Sequence, residues 1–241
     1  MHGARGQSEF RVAGEARGPQ AGNMMIEFAL VMVFLFPLLA GSFTIGMALT
    51  KAIQVSNVAR DAVVLLVRSN ADPESGLDLS QTQNQRIIVR AAQGLGMASD
   101  AQNDPSSTGA GVVILSKVVM VGPAECSLGI IPAPGGAPPW NSGNCPNYGR
   151  YVFAYRVVIG NGTAWSSTLG NPGVAVQSNG ASTTANIASN SGLQVASFVG
   201  VTGLSLTVST FALISEMYAN VSYLNFFSVL KNPVIYARSI S

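Results

Sequence analysis

Histidine is nearly absent from this chain, and carboxylates thin out along it. The one histidine is His2. Beyond Asp104 the only acidic residues are Glu125 and Glu216. General acid–base catalysis needs a histidine or converging carboxylates, and zinc sites need several His or Cys ligands. Neither supply exists, so the composition argues against an enzyme and offers no place for a cofactor or a metal. Charged residues make up 10% of the chain, against roughly 25% in soluble domains. The net charge of +2 is too small for nucleic-acid binding, which runs on phosphate neutralisation. Cysteine is scarce as well. Cys126 and Cys145 bracket "SLGIIPAPGGAPPWNSGN", a loop rich in Pro and Gly. In an exported segment such a pair reads as a disulfide, worth roughly 3 kcal/mol by chain entropy. In a cytosolic chain it would be two free thiols.

One segment has no charge at all. Phe28–Leu49 is an uncharged run of 22 residues, about 33 Å as helix and long enough to span a bilayer. Pro37 lies inside it and is tolerated in membrane helices with a kink. Before it, residues 1–22 are polar and glycine-rich. Arg5, Arg11 and Arg17 outnumber Glu9 and Glu15 there, which favours a cytoplasmic N-terminus. After it, "KAIQVSNVARDAVVLLVRS" turns amphipathic. Val55, Val58, Ala59, Ala62, Leu65 and Leu66 form an apolar stripe at helical spacing, with Gln54, Asn57, Asp61 and Arg68 opposite. Nothing between Leu49 and Val55 breaks a helix, so one continuous helix from about Asn23 to Arg68 is expected. Its second half should pack on a folded domain.

A second helix is expected over "LSQTQNQRIIVRAAQGLG". Ser80 and Gln83 would form a capping box, and Ile87, Ile88, Ala91, Ala92 and Leu95 an apolar side. Gly94 or Gly96 would end it. Strands follow. Val112–Val121 is nearly continuous and apolar, while Tyr151, Phe153, Tyr155, Val157 and Ile159 alternate onto one face. The pattern resumes at Leu204, Leu206 and Val208 and changes parity at Phe211 and Leu213, predicting a bulge or a break into two strands. "NPVIYARSIS" reads as a final edge strand. The polar stretch between residues 160 and 203 is expected to lie over the domain surface. The fold class is therefore α+β: a long N-terminal transmembrane and amphipathic helix plus a second helix, packed on an antiparallel sheet. The expected divisions are a leader over 1–22, a membrane helix over 23–50, helices over 51–100 and a β-rich exported domain over 101–241, with its disulfide loop at 126–145.

The membrane-length run begins at a carboxylate, Glu27. Such a group is costly at a membrane helix end unless it reaches water or a partner. It could simply lie at headgroup level on a plain anchor. The run could also be a secretory signal cut near "LAGS", although apolar helix continues past that point. The spacing offers a third reading. Gly22, four residues, Glu27, Phe28 and then the apolar run resembles the prepilin-peptidase site of type IV pilins. "GNMMIEFAL", with "VSNVARDAV" at Val55–Val63, is similar to the TadE/TadG-like pseudopilins of tight-adherence pilus machineries. The resemblance covers about Gly22 to Arg68. It implies peptidase cleavage between Gly22 and Asn23, and subunit docking through Glu27 and Phe28. It also implies an inner-membrane, single-pass protein with its C-terminal domain periplasmic or in an extracellular pilus. The implied partners are the prepilin peptidase, other pilins and the assembly platform, in a hetero-oligomer without nucleic acid. Here "VVLLVR" makes the outer helix more apolar than the family usually has it. The alternative is a membrane-anchored adhesive module that never polymerises.

Weaker signals remain. Asn161 in "NGT" and Asn220 in "NVS" match a glycosylation acceptor, a triplet that chance produces readily in this composition. Trp140, Tyr148 and Tyr151 near the cysteines are a candidate aromatic contact patch, against the plainer role of covering a sheet edge. Asp72, Glu74 and Asp78 lack the alternating spacing of a calcium loop.

Overall fold

The structure is a computed structural model. It describes residues 20–71, 79, 82–97, 109–129, 138–174, 176–177, 179–221 and 234–241. The chain forms two compact units, Met1–Gly46 and Met47–Ser241.

A single helix, α1, runs Gln20–Ala71 with Pro37 inside it. Within the first unit its apolar side chains are exposed, from Met24 and Met25 through Phe28, Phe34 and Phe36 to Leu39 and Phe43. So large an apolar surface is not stable in water. The helix is long and apolar enough to cross a membrane, and none of its most apolar window is covered by protein.

In the second unit the helix changes character. Val55, Val58, Ala59, Ala62, Val63 and Leu66 are all buried, at steps of three and one that keep them on one face. Leu65, expected in that stripe, is only partly buried. Val63 takes its place because it continues the three-and-one alternation. The helix α2 (Thr82–Ala91) follows, then a 3₁₀ turn over Gln93–Leu95 that ends on Gly96 at φ 75°. Ile88, Val89, Ala92 and Leu95 are buried. Ile87 and Ala91, expected on the apolar side, are exposed, and Val89 packs inward instead. Ser80 lies outside the described residues, as does the side chain of Gln83.

Four strands form one antiparallel sheet in the order β2-β1-β3-β4. They are β1 (Gly111–Met120), β2 (Tyr151–Gly160), β3 (Phe211–Asn220) and β4 (Val234–Ile240). Hydrophobic β1 and β3 take the centre. β4 is an edge, as the sequence implies. Short helices α3 (Pro123–Gly129), α4 (Thr184–Ser189) and α5 (Phe198–Thr202) fill the connections.

Two strand expectations are corrected. Residues 204–208 form no strand. α5 ends at Gly203 (φ 71°). A turn over Thr207–Thr210, with Ser209 at φ 59°, then redirects the chain before β3 begins. The five alternating residues of β2 do not share a face either. Lys117 pairs with Tyr155 but Val118 pairs with Phe153, so Ala154 is an extra residue. Such a bulge reverses the parity beyond it. Tyr155, Val157 and Ile159 therefore pack with the helices α1 and α2, while Phe153 and Tyr151 pack with Phe198 on the other face.

The helix-facing side of the sheet carries Val113, Leu115, Val157, Ile159, Leu213, Met217 and Ala219 against α1 and α2. Further along that side, Val119 and Val152 pack with the disulfide, Ala188 and Leu193. The opposite side is covered by α5 and by residues 161–171.

Candidate functional site

The peptide bond between Gly22 and Asn23 lies in the first turn of α1, which begins at Gln20. Five and six residues further on, Glu27 and Phe28 are both exposed. Asn23 and Glu27 are four residues apart, the spacing that puts two positions on one helix face. No acidic residue occupies the first turn of the helix. A helix starting at Asn23 would bring Glu27 close to its positive end, which a carboxylate favours. Residues 1–19, most of the segment expected to be a leader, lie outside the described residues.

The second cluster was not foreseen as a site. Glu216, on the central strand β3, is fully buried. It accepts from Ser167 Oγ, Thr168 Oγ1, Thr168 N–H (3.0 Å) and Tyr236 O–H (3.0 Å). Buried Arg156 lies on the same sheet face. It donates to Ser116 Oγ at 2.9 Å, the Gly170 carbonyl at 3.1 Å and Asn171 Oδ1 at 3.0 Å, and it stacks 5.1 Å from the Phe153 ring. Together the two charges strap residues 167–171 across the sheet. Trp165 continues the strap by stacking on Tyr218 at 5.9 Å.

The electrostatics follow from burial. Desolvation brings the Arg156 guanidinium down to about 10, with Glu216 opposing the shift. Desolvation pushes the Tyr236 phenol up, the hydrogen bond from Thr168 opposes that, and the Glu216 charge reinforces it. Tyr218 is pushed up for the same first reason, then by Glu216 and Tyr236. The carboxylate is fully buried and is held by four donors, three on Oε1 and one on Oε2. The arrangement clasps a loop. The clue in sequence was the isolation of Glu216 and Arg156 in apolar strands, since such charges are buried only with partners.

The other late carboxylate, Glu125, accepts from Gly122 N–H at 2.8 Å and Ser209 Oγ at 2.9 Å. It closes the start of α3, where Pro123 sits in the first turn. Cys126 and Cys145 are disulfide-bonded, with Cα atoms 5.9 Å apart. Beside them, buried Asn147 donates to the Ile187 and Asn190 carbonyls at 2.9 Å each and accepts from Gln194 at 2.8 Å. The candidate aromatic patch is split between the two sheet faces. Trp140 and Tyr148 pack beside the disulfide, whereas Tyr151 stacks on Phe198 at 4.5 Å. The Asn161 amide is engaged with Gly109 O, Thr163 Oγ1 and Ala164 N–H. Asp72, Glu74 and Asp78 lie outside the described residues.

A groove of about 320 Å³ opens between α1 and α2. Val64, Leu65 and Ile87 line it, with Asp61 and Arg68 among its charged lining residues. Among the described residues, the apolar "VVLLVR" segment thus leaves part of its surface uncovered.

Comparison with known proteins adds one finding. Residues 22–63 match the family model for TadE-like protein, which is the segment carrying the sequence resemblance. No curated protein and no solved structure matches the chain.

Proposed function

We propose that this chain is a minor pilin or pseudopilin, a structural component in the biogenesis or assembly of a Tad-type pilus. The observation that carries the reading is the Gly22–Glu27–Phe28 spacing at the head of an exposed apolar helix, within the stretch that matches TadE-like proteins. Prepilin peptidase would cut between Gly22 and Asn23. The new α-amino group of Asn23 on one copy would then pair with Glu27 of a neighbouring pilin. Such a pair in lipid neutralises both charges and sets the axial stagger between subunits. It specifies register more than it adds stability. The protein would be single-pass in the inner membrane, its N-terminus cytoplasmic and its folded unit on the far side.

The test is the N-terminal residue of the protein purified from native membranes, read by mass spectrometry. A chain starting at Asn23 supports pilin processing. A chain that retains the leader leaves a plain anchor, and a start near Phe43 makes it a secreted domain. The second reading, an anchored adhesive module that never polymerises, is separated by Glu27→Ala. That change should abolish incorporation into pili if the chain assembles, and leave export and binding intact if it does not.

A further inference from the structure

We propose that one end of the folded unit docks on the bilayer surface, through an aromatic edge built from Trp165, Tyr218, Tyr236 and Val234. The proposal rests on reading α1 as a membrane anchor.

The argument starts at Lys51, two residues beyond the uncharged run. Its Nζ donates to the Gly94 carbonyl at 2.6 Å. Two residues on, the Gly96 carbonyl accepts from Ala110 N–H at 2.8 Å, and the Ala110 carbonyl accepts from Asn220 N–H at 2.7 Å. Asn220 pairs with Val234. This chain of contacts links Lys51 to the end of β3 and the start of β4 within the folded unit. Met47 to Leu49, the last residues of the uncharged run, belong to that same unit. If they end in the hydrocarbon, this sheet end stands at headgroup depth.

Its composition suits that depth. The terminal registers hold Gly111, Val112, Ile159, Gly160, Tyr218, Ala219, Asn220, Val234, Ile235 and Tyr236, with no charge among them. The first charged register is Glu216 with Arg238, further along. Trp165, Tyr218 and Tyr236 form a continuous ring ladder, at 5.9 and 4.7 Å between centroids. Tyr236 and Val234 are 39% and 42% exposed. Trp and Tyr concentrate where apolar and hydrated layers meet, because a ring with a polar tip satisfies both. The opposite end of the sheet differs. Lys117 and Glu125 lie near one another towards that end, and the Arg150 carbonyl accepts from Val121 N–H just past Met120. The far end of β1 is roughly 30 Å from Gly111 by the strand rise.

The chain's two tryptophans provide the test, since Trp140 lies by the disulfide. Full-length W140F and W165F proteins are reconstituted into phosphatidylethanolamine–phosphatidylglycerol vesicles, with and without lipid carrying a nitroxide high on its acyl chain. Flotation comes first. A chain that does not float with the vesicles sinks the anchor reading and this one with it. In floated W140F, Trp165 emission should be lost to the nitroxide lipid, while Trp140 emission in W165F is retained. Equal quenching of the two, or none of Trp165, overturns the docking and leaves the anchor standing.

Discussion

Replacing Glu216 with alanine tests whether the loop clasp holds the outer face of the sheet. The change removes the acceptor for four donors at once. Thr168 and Tyr236 are exposed enough for water to replace part of the loss, but Ser167 is buried. Arg156, also buried, loses its nearby opposite charge. Leaving a buried charge uncompensated costs about 3–5 kcal/mol. For a unit of this size, that lowers the melting temperature by roughly 10 °C. Glu216→Gln keeps the shape and one carbonyl acceptor. It exchanges charge-assisted hydrogen bonds for neutral ones, about half as strong, so about half the shift is expected. Thermal unfolding of the full chain in detergent micelles, followed by near-ultraviolet circular dichroism, reads Trp165, Tyr218 and Tyr236 directly. Limited proteolysis should cut first within residues 161–171 of the alanine variant. A shift under about 3 °C in Glu216→Ala, against the scale expected for this size, would refute the reasoning.

Three further outcomes follow from the geometry. Replacing both Cys126 and Cys145 by serine should lower stability by roughly 3 kcal/mol, measurable as the same melting shift that a reductant produces in the parent protein. Gly160 sits at φ 99°, and a Cβ there would collide with Gly111 O. Gly160→Ala should cost at least about 1–3 kcal/mol in backbone strain alone, visible as a lowered urea midpoint, whereas Gly149→Ala meets open space at φ 72° and pays only for its dihedral. Tyr218 and Tyr236 are raised above 10.0 in the fold, so the unfolded chain releases those protons first. The stability they contribute is complete below pH 10 and is lost as pH rises through their folded values. Absorbance titration of Y218F and Y236F should each remove one late-ionising phenol from the parent curve.

The α+β class, the long helix, the four strands other than their exact turns and the edge position of β4 were all legible in hydrophobic period. In β2 one residue decided the misreading. Ala154 is an inserted position in β2, and nothing in a stretch of alternating aromatics distinguishes an insertion from a regular pleat. Leu204, Leu206 and Val208 alternate like a strand, yet Leu206 is packed as a loop residue against α5. Alternation reports only that side chains are half-buried, and a loop lying along a core satisfies it too. The Glu216 clasp was illegible for a different reason. Its partners come from positions 167, 168 and 236, and no local pattern links them to 216.

The shortage of carboxylates that argued against catalysis also sorts the acids that remain. Glu125 and Glu216 are committed inside the folded unit, one closing a helix start and one clasping a loop. Glu27 and Asp61 are the other described acids, and both are exposed on α1. An exposed acid at the head of an apolar helix cannot be explained by solubility, because every neighbour from Met24 to Phe28 other than Glu27 itself is apolar and exposed. Its cost in lipid has to be met by something outside the helix. Water at the headgroups would suffice for a plain anchor, and then Glu27→Gln should leave function untouched. A neighbouring subunit's amino group requires the charge itself, and Glu27→Gln should then fail in pilus incorporation as fully as Glu27→Ala. Scoring both variants for pilus incorporation, with membrane insertion as the control, separates a carboxylate tolerated by the bilayer from one that positions a partner.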